Sequence, residues 1–272
     1  MIHRPYFNNC YTTFSNGPIP PSLEFTALLA IVCATALQFL PESDEDEFIF
    51  ADYPQGRQIL KKRMYDFTRS VLVTTASPPV SSIERIRALT LFSVYQWNEG
   101  NAAECYFASA LAIRMAQTLA MNRDGETTWH MRPQDAEWRR RLWWTLFVFD
   151  RFHAVEYCRP YVIFEHHTDV AASMNLDEIS LETDDELVPK SMEEPTDSLY
   201  LIIQSRWAQL IGQIWDSCFA INLPTYRTVV DFENRIRKFE LDLPASFRYQ
   251  SPQVAQSRPY LQFQVCMSIG YL

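Results

Sequence analysis

Residues 137–151 read Glu137-Trp138-Arg139-Arg140-Arg141-Leu142-Trp143-Trp144-Thr145-Leu146-Phe147-Val148-Phe149-Asp150-Arg151. Trp138, Leu142, Leu146, Phe149 and, two residues on, His153 recur at three- and four-residue steps. Trp143 and Phe147 widen that stripe, and the period is that of an amphipathic helix. Pro133 suits the first helical turn, and Asp135 and Glu137 sit at the positive helix end, so the spacing predicts a helix over residues 133–157. Consecutive helical residues spread over about 200° of the cylinder, which argues against reading Arg139, Arg140 and Arg141 as a nucleic-acid patch. With tryptophans close behind, one or two of these arginines are expected to pair with acids inside the fold while another faces solvent.

Working outward, each flank also reads as helix. Pro20-Pro21-Ser22, with Ser22 as N-cap, opens an apolar helix over residues 23–40, closed by Pro41 and an acidic run at residues 42–47. That stretch approaches the length of a membrane span, but it contains Glu24, Thr26, Thr35 and Gln38 and lacks a basic anchor, so a core helix is expected. A second helix runs over residues 56–74, with Ile59, Leu60, Met64, Phe67, Val71 and Leu72 inward. Ser81 and Glu84 form a capping box for a third, and Gly100 ends it in the left-handed region. Asn101 caps a fourth through Asn122, folding back on the third through a very short turn as an antiparallel neighbour.

Periodicity fails over residues 159–195, where Asp177, Glu178, Glu182, Asp184, Asp185, Glu186, Glu193 and Glu194 concentrate. A long acidic surface loop within one domain is expected there. Helices resume over residues 196–220 and 225–241. The apolar segment from about residue 258 reads as a core helix without a cap, as in a chain truncated at its C-terminus. The fold class is therefore all-α, an irregular multi-helix bundle of antiparallel helix pairs, preceded by an N-terminal tail over residues 1–19.

Composition narrows the function. Net charge is −9, a poor basis for gripping a phosphate backbone. Glycine numbers only 6, too few for a Gly-cradled nucleotide site or the many tight turns of a β-sandwich. The six cysteines, Cys10, Cys33, Cys105, Cys158, Cys218 and Cys266, are scattered singly with no secretory signal, as free buried thiols in a reducing compartment are. No G-x-S-x-G, G-x-G-x-x-G, Walker A or H-E-x-x-H sequence is present. His166 and His167, with Glu165 and Asp169 near, point to opposite sides of an extended segment and are read as a surface pair, so no metal site is expected. An all-helical magnesium-dependent enzyme of secondary metabolism is the alternative, but Asp184-Asp185-Glu186 lacks the acid that would complete D-D-x-x-D/E.

Residues 137–151 closely resemble the E-x-R-R-R-x-W-W-x-x-F-x-x-D-R segment of the fungal-specific transcription factor domain, the middle homology region of zinc binuclear cluster (Zn2Cys6) factors. The helix around Ala110-Leu111-Ala112-Ile113-Arg114-Met115-Ala116 resembles that family's G-x-A-x-R-x-A-x helix, and residues 119–124 resemble its L-G-L-H-R-D end. Arg159-Pro160 matches its G-R-P turn. Ala120 and Asn122 replace the usual Gly and His, and Cys158 replaces the Gly of G-R-P, removing a φ-permissive residue from a turn.

The resemblance implies a non-enzymatic regulatory domain over residues 20–272, acting in transcription in the nucleus. Its motif residues are Glu137, Arg139, Arg140, Arg141, Trp143, Trp144, Asp150, Arg151, Arg159 and Pro160, with structural or regulatory roles; no residue is catalytic. It implies DNA contact through a separate C-x2-C-x6-C cluster holding zinc, or through a partner protein, together with transcriptional co-regulators, a small-molecule effector and no membrane. No such cluster occurs in this chain, since Cys10 and Cys33 stand too far apart. A stand-alone ligand sensor or partner-binding regulator is a further alternative. Trp143, Phe147 and Trp215 are the candidate walls of an apolar pocket.

Overall fold

The computed structural model describes residue 2 and residues 4–17, 22–40, 56–73, 81–183 and 185–248. Nine α-helices and three short 3₁₀ turns account for the regular structure, with no strand among the described residues. The chain is all-α and divides into two compact units at Asn122/Arg123, where a single domain was expected.

In the first unit, α1 (Arg4–Asn16) occupies the segment read as a tail. Its aromatic side chains explain the difference. Phe7 lies 5.7 Å from Phe25, the Tyr6 hydroxyl donates to Glu84, and Arg87 sits over the Tyr6 ring. α2 (Leu23–Phe39) is capped by Ser22, whose Oγ accepts from Phe25 N, and it buries Phe25, Ala27, Leu28, Ile31 and Ala34. Among the described residues no helix is long and apolar enough to cross a membrane.

α3 (Gly56–Leu72) packs on α2 and buries Thr68, Val71 and Leu72. Ile59 and Phe67, expected inward, are exposed. A polar seam replaces part of the expected stripe. Tyr65 and Arg69 reach across to Glu104 at 2.6 and 2.8 Å, and Gln96 donates to the same carboxylate.

α4 (Ile83–Asn98) is capped by Ser82, not Ser81: Ser82 Oγ accepts from Arg85 N at 3.1 Å. Gly100 has φ +73°, the left-handed conformation its place after a helix predicts. α5 (Ala102–Thr118) packs closely on α4 and ends four residues earlier than the periodicity predicts. Ala120 ends the run, with φ +50°.

The second unit is built on α6 (Gly125–Trp129), α7 (Pro133–Tyr157), α8 (Leu199–Cys218) and α9 (Tyr226–Leu241). α7 packs on both α6 and α8, and α8 on α9. Trp207, Leu210, Ile211 and Ile214 of α8 form one core cluster, covered by Phe152, Phe232 and Ile236. The described residues within 159–198 contain no strand or α-helix, only 3₁₀ turns at Glu165–His167 and Glu178–Leu181. They do not simply lie on the surface: Val170, Ser173, Asn175, Leu176, Leu181 and Thr196 are buried. Asn175 supports that inner course by donating to the carbonyls of Ser191 and Glu194.

Of the described cysteines all are unbridged, but Cys158 is exposed, so not every thiol is interior as expected. The segment from residue 258 and Asp184 lie outside the described residues.

Candidate functional site: the α7 charge network and its cavity

α7 starts with Pro133 at its first turn, as the sequence predicts, and is buried almost all round. Glu137, Arg140, Arg141, Asp150, Arg151 and His153 are all under 5% exposed. Charges at that depth require partners, because desolvation otherwise disfavours the ionised forms. The partners come chiefly from the start of α6 and from the irregular segment.

Arg140 donates through Nε and Nη2 to the two Asp124 oxygens, at 2.6 and 2.8 Å, and Nη2 also reaches Glu126 at 2.8 Å. Asp124 caps α6, accepting from Glu126 N and Thr127 N, and further accepts from Ala171 N at 3.1 Å. The hydrogen bonds from Arg140 hold the Asp124 carboxyl far below the usual carboxylate range, and Asp124 in turn holds the guanidinium firmly protonated. Asp169 completes the strap by accepting from Asp124 N and from Arg123 Nε, both at 2.9 Å.

One turn along, Glu137 accepts from Arg141 Nε at 3.0 Å and from Met174 N at 3.1 Å, while Arg141 Nη2 donates to Leu176 O. Burial pushes the Glu137 carboxyl up, with the Arg141 pair pulling against it. Trp144 Nε1 donates to Ala171 O at 2.8 Å. Towards the C-terminal end, Asp150 accepts from Val162 N and Ile163 N at 2.9 and 2.7 Å, and Arg151 donates to Ile163 O at 2.8 Å. The Arg151 guanidinium is sandwiched by Tyr161 and Phe147, 3.7 and 4.3 Å from their ring centroids. It also rests against Gly212 of α8, where an added Cβ would come within 2.7 Å of Arg151 Nε.

The arginine triplet divides as its angular spread demands: Arg140 and Arg141 are interior, while Arg139 is half-buried with its guanidinium 5.5 Å from the Trp129 ring centroid. Cys158 ends α7 at φ +51° and Arg159 N bonds back to Ala154 O, so the left-handed turn of the resembled G-R-P sequence forms without its glycine. Arg159 and Pro160 are exposed on that turn. His166 and His167 sit in a 3₁₀ turn, not an extended segment. Among the described residues no group of three His, Cys, Asp or Glu is placed to hold a metal ion.

A cavity of about 300 Å³ opens between α7, α8 and the irregular segment. The three aromatic walls expected from sequence do not line it. Trp143 and Phe147 are buried elsewhere in the core and Trp215 stacks on Phe219. Trp144 supplies the aromatic wall, and α8 contributes Ile202, Ser205, Arg206 and Gln209. Neighbours on a helix point about 100° apart, which is why Trp144 and not Trp143 meets this cavity. The pairing of Asp124 with Arg140 and the cavity face of α8 escaped the sequence reading. The Asp124-Gly125-Glu126-Thr127 sequence is a helix-capping signal, and polar residues at steps of three and four interrupt the apolar face of α8.

Residues 1–244 match the profile of the family described as the fungal specific transcription factor domain. An uncharacterized transcriptional regulatory protein of Schizosaccharomyces pombe is 23% identical over 251 residues, covering 91% of this chain and 31% of that protein. The Zn(2)-C6 fungal-type transcription factor mpsB of Macrophomina phaseolina is 22% identical over 267 residues, 95% of this chain and 35% of its own length. The equisetin cluster transcription factor eqxF of Fusarium heterosporum is 22% identical over 259 residues, 92% and 37% respectively. The chain thus spans about a third of these relatives. No solved structure matches it. These similarities point to transcription factors and give no support to a magnesium-dependent enzyme. With the α7 motif in place and the match running over most of its length, the chain belongs to the fungal specific transcription factor domain family.

Proposed function

We propose that this domain sets the output of a nuclear transcription factor, with the α7 network holding the irregular segment in the conformation that output requires. The observation that carries the reading is the placement of Glu137, Arg140, Asp150 and Arg151, each tying α7 to residues distant in sequence. DNA contact falls to a zinc cluster of the kind the relatives' names carry, supplied outside these residues or by a partner protein. Transcriptional co-regulators read the domain's surface. The motif side chains act as positioning residues.

The test is a fusion of the chain to an unrelated DNA-binding domain, assayed on a reporter in a fungal nucleus. Output is expected to differ from that of the DNA-binding domain alone, and Asp150→Ala is expected to abolish the difference with the fusion still expressed. Equal output from the fusion and the bare DNA-binding domain, at matched protein levels, removes the proposal.

A further inference from the structure

Along α8, Ile202, Ser205, Arg206 and Gln209 fall at steps of three, one and three, so they share one helical face, and all four line the cavity. The opposite wall is the Trp144 indole, whose Nε1 is already committed to Ala171 O and which therefore presents its ring. Ser173, from the irregular segment, closes the inner side. It is 8% exposed, and its Oγ has no hydrogen-bond partner among the described residues.

A buried hydroxyl without a partner, in a cavity wall, is costly unless something else fills its bonding capacity. The charged groups are also unequal. Glu165 is engaged by Gln209 Nε2 at 3.4 Å and lies 4.0 Å from Arg151. Arg206 makes no ion pair among the described residues. The wall thus offers one uncommitted cation, one uncommitted hydroxyl, and an apolar floor of Trp144, Val170 and Ile202.

We propose that this cavity is a binding site for a small monocarboxylic acid with an apolar or aromatic body. Its carboxylate pairs with Arg206 at the exposed edge, its body lies on Trp144 and Ile202, and a hydroxyl at the far end of that body bonds with Ser173 Oγ. A planar guanidinium fork matches a carboxylate, and Arg206 is the one basic residue among those lining the cavity. The volume is at the lower end for ligand pockets, which restricts the body to about a single ring or a short chain. As a regulatory site the cavity rests on the transcriptional reading; as a binding site it does not.

Isothermal titration of the purified full chain with 3-(4-hydroxyphenyl)propionate, and in parallel with 3-(4-hydroxyphenyl)propionamide, tests it. The acid is expected to bind and the neutral amide to bind at least ~10-fold more weakly. Arg206→Gln, at an exposed position that folding tolerates, is expected to weaken the acid by a similar factor and leave the amide unchanged. Ser173→Leu fills the cavity and is expected to remove both, with Ser173→Ala as the milder control. Equal affinity for acid and amide, binding indifferent to Arg206→Gln, or no heat from either compound at millimolar concentration overturns the proposal. Adding the acid to the reporter fusion separates the two claims: binding in vitro without a change in output leaves the site standing and counts against its regulatory role.

Discussion

Replacing Asp124 by alanine removes a carboxylate that is 1% exposed and accepts from Arg140, Glu126 N, Thr127 N and Ala171 N. Breaking a buried pair by deleting one partner costs about 3–5 kcal/mol, because the other charge stays buried and unmatched. Loss of the α6 cap adds about 1 kcal/mol. Glu126 offsets part of this, since it already touches Arg140 at 2.8 Å and can take more of its charge. The net expectation is about 4 kcal/mol, or a fall in Tm of roughly 10 °C for a unit of this size. Urea unfolding followed by circular dichroism measures the loss, and hydrogen exchange at Ala171 locates it.

The depressed Asp124 ionisation fixes the pH behaviour of that difference. A carboxylate whose folded value lies below its unfolded value contributes its stability in full above the unfolded value, and loses it only as the pH falls through the folded one. The gap between wild type and Asp124→Ala is therefore flat between about pH 5 and 8. Pairing the change with Arg140→Met is expected to recover most of the loss, because the stranded charge goes too. A cost under about 1 kcal/mol, the scale of an exposed ion pair, refutes the reasoning. So does a double variant no better than the single.

Three further outcomes are expected. Burial holds the His153 imidazole down at about 4; the unfolded chain then binds the extra proton first, so stability falls as the pH drops from about 6.5 towards 4. His153→Phe, which keeps the stack with Phe149 and Tyr157, is expected to flatten that slope in thermal melts. Gly212→Ala drives a methyl group against Arg151 Nε, in a slot already filled by Tyr161 and Phe147. Denaturant titration is expected to show a loss of about 1–3 kcal/mol. Cys158→Gly relieves a left-handed residue with a Cβ, and a gain of about 1 kcal/mol is expected in the same titration. No gain there means the turn carries no strain.

The helices were legible because their signals are local. Pro133 at the start of α7, Ser22 before α2 and Gly100 after α4 each act within one turn of themselves. The cap at Ser82 in place of Ser81 is an error of register in the same local code. What stayed hidden was non-local. Nothing near Phe7 announces that Phe25 will receive it, and nothing near Asp124 announces Arg140 or Ala171. The break at Asn122/Arg123 is likewise a matter of which helices pack together, which periodicity does not encode. The angles divided the α7 triplet between interior and flank without saying which arginine goes where, and the cavity required knowing which of two adjacent tryptophans turns towards α8.

The irregular segment after α7 has a consequence for how the unit assembles. It has no ladder of its own, and its inner course is fixed by Asp124, Glu137, Trp144 and Asp150, separated from their contacts by 12 to 47 residues. Its order is therefore borrowed. A helix can nucleate within microseconds from neighbours in sequence, but beyond the bonds Asn175 makes within it, this segment's order waits until α7 and α6 are in place to receive it. It is expected to settle after those helices and to be released before them. A single protease cut within residues 162–176 is therefore expected to loosen the backbone donors that the α7 carboxylates hold and to open the second unit.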